Sequence, residues 1–289
     1  MRILVLGGQG MAGHVITAYL QQDPTLKVWS TFRVDQYSKI HEANTIGVDV
    51  RDLNQLASVL NHIRPHVVIN AVGILNQAAD EQMYDAIFIN SLLPHWLEQK
   101  GNQDGFRLIH ISTDCVFSGA DGDYKEEDHK DGTTNYAKTK SLGEVQSPSH
   151  LTIRTSIIGP EQKKNGIGLL HWFLQQEGKI YGYRHVYWSG VTTIELARMI
   201  TWSLQQQHLT GLVHLTGQHK LSKYDLLCLF KEVFNRKTVT IIPETEKKSD
   251  KSLVNTRQDF KYVVTEYDRM IRNMKRWMLK HAHLYPYDL

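Results

Sequence analysis

A chain of 289 residues, 41% hydrophobic and 22% charged, has the length for one large domain or two modest ones and the composition of a water-soluble protein with a sizeable core. A formal charge of +3 without a long basic run argues against a nucleic-acid polymer as partner. Fifteen histidines without a His-Glu-x-x-His or Cys/His cluster, and only the distant Cys115 and Cys228, argue against a metal centre. Ile3-Leu4-Val5-Leu6 is too short for a signal-peptide core, and no segment reaches about 18 uncharged apolar residues, so no membrane association is expected. The reducing cytoplasm is the expected compartment.

Residues 2 to 6 form an apolar run bounded by glycine, as a buried parallel strand does, and residues 11 to 21 carry helical spacing through Met11, Val15, Ala18 and Tyr19. Lys27 to Phe32 reads as a second strand and Thr45 to Val50 as a short third one, followed by a helix over 53 to 63 that Pro65 stops. His66 to Ala71 is the next strand, a helix spans about 80 to 100, and Arg107 to Ser112 is the fifth strand. The helix holding Tyr136 leads into a strand at Leu151 to Arg154. This alternation predicts an α/β fold, a doubly wound parallel (Rossmann) sheet with helices on both faces.

After residue 158 the rhythm loosens. Gly159-Pro160 opens a polar stretch with a loop at Lys163-Lys164-Asn165-Gly166, before an apolar helix through Leu169 and Leu174. A helix over about 192 to 206 and a strand at Leu212 to Leu215 are expected to return to the main sheet. A helix over 222 to 235 and the remaining tail are expected to form a smaller region over the sheet's C-terminal edge. The division is 1–158 plus about 190–216 for a dinucleotide, and about 159–189 plus 217–289 for a substrate.

Gly7-x-x-Gly10-x-x-Gly13 follows the first strand and enters the first helix. Glycines there permit a tight turn and close backbone approach, and the helix N-terminus, from Met11 on, offers free N–H groups to a pyrophosphate. At the end of the second strand an acid would bind ribose hydroxyls, whereas an arginine favours a 2′-phosphate. The chain has Thr31-Phe32-Arg33, with Asp35 two places later, so NADPH is expected in preference to NADH, with Arg33 as the phosphate partner. Asp49 and Val50 are placed to border the adenine. Asn70, Ala71 and Val72 are placed along the nicotinamide side, with Gly73 towards the substrate.

Tyr136-x-x-x-Lys140 puts a phenol and an ammonium on one helix face. A lysine beside a tyrosine is expected to stabilise the phenolate and lower its pKa. The pattern is common by chance, but its context is specific. Ser112-Thr113-Asp114 ends the fifth strand at the sheet edge that carries the glycine loop. Thr113 is placed to hold a substrate carbonyl, Tyr136 to protonate its oxygen, and Lys140 to tune the tyrosine and bind the nicotinamide ribose.

With these residues the chain resembles the extended short-chain dehydrogenase/reductase family, and within it the sugar-nucleotide reductases of the dTDP-4-dehydrorhamnose reductase type. The resemblance rests on the glycine loop, Asn70-Ala71, Ile89-Asn90, Ser112-Thr113-Asp114-x-Val116-Phe117-x-Gly119, Tyr136-x-x-x-Lys140, Gly143-Glu144 and Arg154-Thr155-Ser156. It implies NADPH-dependent reduction of the C4 ketone of a nucleotide-activated 6-deoxyhexose for cell-surface polysaccharide synthesis. It also implies Thr113, Tyr136 and Lys140 as the catalytic set and Asn90 as a cofactor-side residue.

Cys115 and Ile157 stand where rhamnose-forming members usually carry a tyrosine and a tryptophan, both expected near the sugar beside Asp114. Their smaller side chains imply a wider pocket and a bulkier sugar, such as a 2-acetamido derivative on UDP. The family's Gly-x-Pro-Thr turn is altered to Ser189-Gly190-Val191-Thr192-Thr193. Trp188, beside Tyr187, and Arg257 are candidates for the nucleotide end of the substrate. Trp172 and Phe173 read as core. Two alternatives stay open, a sugar-nucleotide epimerase or dehydratase on the same scaffold and a non-catalytic regulatory subunit; the missing Glu after Thr113-Asp114 counts against a dehydratase. A homodimer is compatible with the reading.

Overall fold

The computed structural model describes residues 1–33 and 44–288, and Asp35 lies outside the described residues. In chain order the first part contains β1 (Arg2–Leu6), α1 (Met11–Leu20), β2 (Lys27–Phe32), β3 (Thr45–Gly47), α2 (Leu53–Ile63) and β4 (Val67–Asn70). Then follow α3 (Asn76–Glu81), α4 (Met83–Ala86), a π-helical turn (Ile87–Leu92), α5 (Leu93–Asp104), β5 (Arg107–Thr113), α6 (Asn135–Leu142) and β6 (Leu151–Thr155). The remainder comprises β7 (Ile157–Ile158), α7 (Leu169–Leu174), β8 (Gly178–Trp188), β9 (Val191–Thr192), α8 (Thr193–Ser203) and β10 (Gly211–His214). It ends with β11 (Leu221–Ser222), α9 (Lys223–Val233), β12 (Val239–Asp250) and α10 (Tyr267–Lys280).

The main sheet is seven-stranded in the order β10-β6-β5-β4-β1-β2-β3, and every pairing is parallel. The chain starts at the centre and winds out in both directions, so the strand order reverses between β1 and β4 and leaves a crevice at their carboxyl ends. Alternate residues of β1 serve opposite faces. Ile3 and Val5 pack with Val15 and Ile16 of α1 and Ile200 of α8, whereas Leu4 and Leu6 pack with Leu56 of α2 and Leu97 of α5. Both faces of the strand are therefore covered, which explains its unbroken apolar run.

Local chemistry sets the boundaries. Asp52 caps α2 by accepting from the backbone N–H groups of Asn54 and Gln55 at 3.1 and 3.0 Å, and Arg64, in the left-handed region at φ 48°, ends it before Pro65. The third strand is shorter than expected because Asp49 turns the chain, accepting from the N–H of Arg51 at 3.0 Å. The single helix expected over 80 to 100 is broken at Gln82 and carries the π-helical turn, which points the fully buried Asn90 at the loop after β4.

A second sheet of β11, β8 and β12 flanks the main one, with β8 and β12 running parallel along most of their lengths. It packs against α9, which is followed in space by the amphipathic α10, whose Met270, Ile271, Met274 and Met278 enter the same core as β1 and α8. None of β8, β12 and α10 was expected from sequence pattern. No helix among the described residues is long and apolar enough to cross a membrane.

Candidate active site

The crevice at the carboxyl ends of β1 and β4 opens into a cavity of about 510 Å³. Its floor is the glycine loop. Gly7 adopts φ +82°, and its N–H and that of Gly8 donate to the Thr31 hydroxyl and carbonyl at 3.2 and 2.8 Å, tying the loop to β2. A Cβ at Gly13 would lie 2.0 Å from the Gly7 carbonyl oxygen, so only glycine lets α1 approach so closely. No side chain caps α1 and no acid stands in its first turn. Its N–H groups and dipole thus face the cavity beside Gly7, Gly10 and Met11. That donor set and bare glycine cradle fit the pyrophosphate of a dinucleotide.

The cavity walls include Arg33, Asp49, Val50, Ala71, Val72 and Gly73. Gly73, expected towards the substrate, lies on the same wall. Gly13, Asn70 and Asn90 do not line the cavity but shape it from behind. The Asn70 amide oxygen accepts from the Val72 N–H at 3.2 Å. Asn90 accepts from the Ile74 N–H and donates to the Ile74 carbonyl, both at 2.9 Å, and also donates to the Thr139 hydroxyl at 3.1 Å, fastening that loop to α6. Two wall elements were not anticipated. Arg51 pairs with Asp49 at 2.6 Å and Asp85 at 2.8 Å, and together with the Arg33 charge it holds the Asp49 carboxyl below the usual range. Glu161, Lys163 and Ile167 close the other side, with the Glu161 carboxylate accepting from the Gly168 N–H at 2.6 Å.

Beyond Ile74, which belongs both to the cavity wall and to the side chains packed round the Tyr136 ring, stands a pair of hydroxyls. Thr134 caps α6 through the Ala137 N–H at 3.1 Å and so sets Tyr136 in the first turn of the helix, facing the end of β5. The Thr113 hydroxyl lies close enough to the Tyr136 phenol to oppose the rise of its pKa. Thr113 also accepts from the Cys115 N–H at 3.1 Å and donates to the Asp114 carboxylate at 3.2 Å. Burial raises the Tyr136 pKa above that of an ordinary phenol, and Cys115 and Asp114 add to the shift.

The lysine corrects the sequence reading. Lys140 does not lower the Tyr136 pKa; its Nζ donates to the Ile111 carbonyl at 2.8 Å and lies 3.5 Å from His110 Nε2. Burial takes its own pKa down to about 8, with Glu144 opposing the shift. His110, whose Nδ1 lies 3.2 Å from the Asn70 amide nitrogen, is held neutral by burial and the Lys140 charge.

Around the hydroxyl pair, Asp114 is deep yet still open to solvent; burial raises its pKa, while hydrogen bonds from Ser156 and Thr113 oppose the rise. Burial and the Asp114 charge push the Cys115 thiol up to about 11, which removes it as a thiolate nucleophile. Ile157 is half-buried next to Ser156. Trp188, expected at the nucleotide end, is 2% exposed and packs on Tyr267 in the core. Phe173 is core as expected, but Trp172 is 39% exposed. Arg257 is not at the site: its guanidinium donates to Asp259 and to the carbonyls of Thr210 and Leu212, at the opposite, amino-terminal edge of β10.

The family model described as RmlD substrate binding domain matches residues 1–258. Methionine adenosyltransferase 2 subunit beta of Danio rerio is 24% identical over 258 residues, 85% of this chain and 77% of its own length. The dTDP-4-dehydrorhamnose reductase of Aggregatibacter actinomycetemcomitans is 24% identical over 257 residues, 84% of this chain and 82% of its own. The crystal structure of dTDP-4-dehydrorhamnose reductase from Bacillus anthracis in complex with NADP aligns with a TM-score of 0.79 at 19% identity, over 96% of this chain and 99% of the other. That last likeness is one of fold.

Proposed function

The chain belongs to the RmlD substrate binding domain family, and on that footing we propose that it is an NADPH-dependent reductase of the C4 ketone of a 4-keto-6-deoxyhexose carried on dTDP or UDP. Its product would feed cell-surface polysaccharide synthesis in the cytoplasm. The observation that carries the proposal is the placing of Tyr136 with Thr113 at the end of β5, next to Ile74, which packs against the cluster that holds Tyr136 and lines the cavity floored by the glycine loop. Arg33 on the cavity wall and the NADP of the Bacillus anthracis reductase favour the phosphorylated dinucleotide. Residues 1–158 with about 190–216 would hold it, and about 159–189 with 217–289 would hold the sugar nucleotide.

When bound, the reduced nicotinamide supplies the two electrons and the hydrogen that C4 receives. Thr113 holds the ketone oxygen, and Tyr136 gives it a proton as negative charge develops there. The raised pKa keeps that proton on Tyr136 throughout neutral pH, so the acid is in the right form when the carbonyl arrives. Thr113 then stabilises the phenolate until solvent restores its proton. Lys140, anchored on Ile111 behind Tyr136, supplies a donor for the nicotinamide ribose.

The test is a spectrophotometric assay of NADPH consumption with dTDP- and UDP-linked 4-keto-6-deoxy sugars, with each product identified. Turnover of one class is expected. A second reading, a non-catalytic subunit of another enzyme, is favoured by the likeness to methionine adenosyltransferase 2 subunit beta. Tight NADPH binding without consumption on any sugar would select it.

A further inference from the structure

The family match ends at residue 258, and two tyrosines beyond it are tied to residues that line the cavity. After α10 the chain passes through a short helical turn (Ala282–Leu284) into an extended segment. Alternate side chains there take opposite sides: Tyr285 is buried and Tyr287 half-buried, while Pro286 and Asp288 are exposed.

The two hydroxyls serve different walls. His14 Nδ1 stands 2.8 Å from the Gly10 carbonyl oxygen, which can only accept, so Nδ1 carries the hydrogen and Nε2 accepts from the Tyr285 hydroxyl at 3.2 Å. The Trp277 Nε1–H donates to Tyr285 at 3.0 Å, so the donors run in one direction from α10 to the glycine loop. Burial takes the His14 pKa down to about 4, and the neutral ring keeps that direction. On the other wall the Tyr287 hydroxyl accepts from the Glu161 N–H at 2.9 Å and meets His171 Nδ1 at 2.9 Å. Glu161 closes the loop over 161–168 through the Gly168 N–H, and that loop sits on the start of α1, since a Cβ at Gly168 would lie 2.7 Å from Met11 Cε. Gly10, Met11, Glu161 and Ile167 all line the cavity.

We propose that Tyr285 and Tyr287 are positioning residues for the two walls of the cavity, Tyr285 fixing the glycine loop through His14 and Tyr287 fixing the 161–168 loop through Glu161, so that together they slow the escape of a bound dinucleotide. The inference rests on the dinucleotide reading for the identity of the ligand, whereas the ties to the walls do not depend on it. A dinucleotide seated on the start of α1 lies between these loops, and loosening either one acts chiefly on its dissociation rate.

Two measurements on the full-length protein test this: stopped-flow fluorescence of NADPH release, and amide hydrogen exchange of the unliganded protein read by mass spectrometry. The variants are Tyr285→Phe, Tyr287→Phe and the pair. Tyr262→Phe is the control, because it removes a hydroxyl bond of the same kind, donated to Glu195 at 3.0 Å, and neither residue lines the cavity. Each of the first two variants is expected to release NADPH about three- to tenfold faster, the pair faster than either, and Tyr287→Phe to quicken exchange over 161–168. The control should stay within about twofold of the native protein in both measurements. Release within about twofold of native in the double variant, or an equal acceleration in Tyr262→Phe, overturns the proposal. Should NADPH fail to bind the native protein while Tyr287→Phe still quickens exchange over 161–168, the dinucleotide reading falls and the positioning role stands; unchanged exchange overturns the positioning role whatever the protein binds.

Discussion

The end of β5 rests on a buried ion cluster, and Arg154→Met tests how much it supports. Arg154 is 1% exposed and donates to both Glu144 carboxylate oxygens at 2.7 Å, from Nε and from Nη2. Glu144 in turn accepts from the Ser112 hydroxyl at 2.7 Å, the residue before Thr113, and pairs with the half-exposed Lys130 at 3.1 Å. Methionine keeps the length and apolar stem but leaves Glu144 buried with one partial counter-charge. Breaking a buried pair from one side costs about 3–5 kcal/mol, and the surviving Lys130 contact places this variant near the lower end. A loss of about 3 kcal/mol corresponds to roughly 6–12 °C in Tm for a chain of this size class.

The pH dependence separates this mechanism from simple loss of packing. Burial pushes the Glu144 pKa up, but the Arg154 hydrogen bonds and charge, with Lys130, outweigh it and hold the group below its ordinary value of 4.5. In the native protein its contribution is therefore full above the unfolded pKa and fades as pH falls through the lowered folded value. In Arg154→Met burial dominates and the folded pKa rises. The ionised carboxylate then penalises the variant at neutral pH, and protonation relieves the penalty in acid. Urea unfolding at pH 7.5 and pH 5 should show the gap between the two proteins narrowing at the lower pH. The double variant Glu144→Gln/Arg154→Met should recover most of the loss. A gap below about 1 kcal/mol at pH 7.5, or one that does not change with pH, refutes the reasoning.

Tyr136→Phe should keep NADPH affinity and lose about 10²- to 10⁴-fold in turnover; unchanged turnover in steady-state assays eliminates Tyr136 as the acid. Arg33→Ala should weaken NADPH binding far more than NADH binding in fluorescence titrations, and equal losses remove its role at the 2′-phosphate. With Lys140 at about 8, its charged form prevails below that pH, so kcat/KM should fall as pH rises through about 8. Lys140→Arg should move that limb upward, and a limb that stays in place assigns it to another group.

Local pattern made the main sheet legible. Continuous apolar runs such as Ile3 to Leu6 mark strands covered on both faces, and the glycine loop is a contiguous motif whose spacing states its geometry. Pairing at a distance left no such trace: β8 meets β12 across β9, α8, β10, β11 and α9, with Val239 opposite Gly178, and neither strand carries the alternation of a half-buried sheet. Nor does spacing reveal what a charged group already holds. Arg257 looked available in sequence, and its carbonyl partners Thr210 and Leu212 come from a strand more than forty positions earlier. Asn90 was visible only through resemblance, because the π-helical turn that aims it is not encoded in a helical period.

The tyrosine and lysine show the same division between position and electrostatics. A four-residue spacing does put both on the buried side of α6, yet it says nothing about which groups each side chain meets there. Burial acts oppositely on an acid and a base, raising Tyr136 and lowering Lys140, so both shifts favour the neutral forms. A phenol held by its neighbour's positive charge would surrender its proton early. Tyr136 instead retains it, and in the proposed reduction the negative charge developing on the ketone oxygen would have to draw it out. Burial thus sets the direction of the Tyr136 shift and Thr113 opposes it from the end of β5, and that strand end is in turn fixed by Ser112 on the Glu144–Arg154 pair.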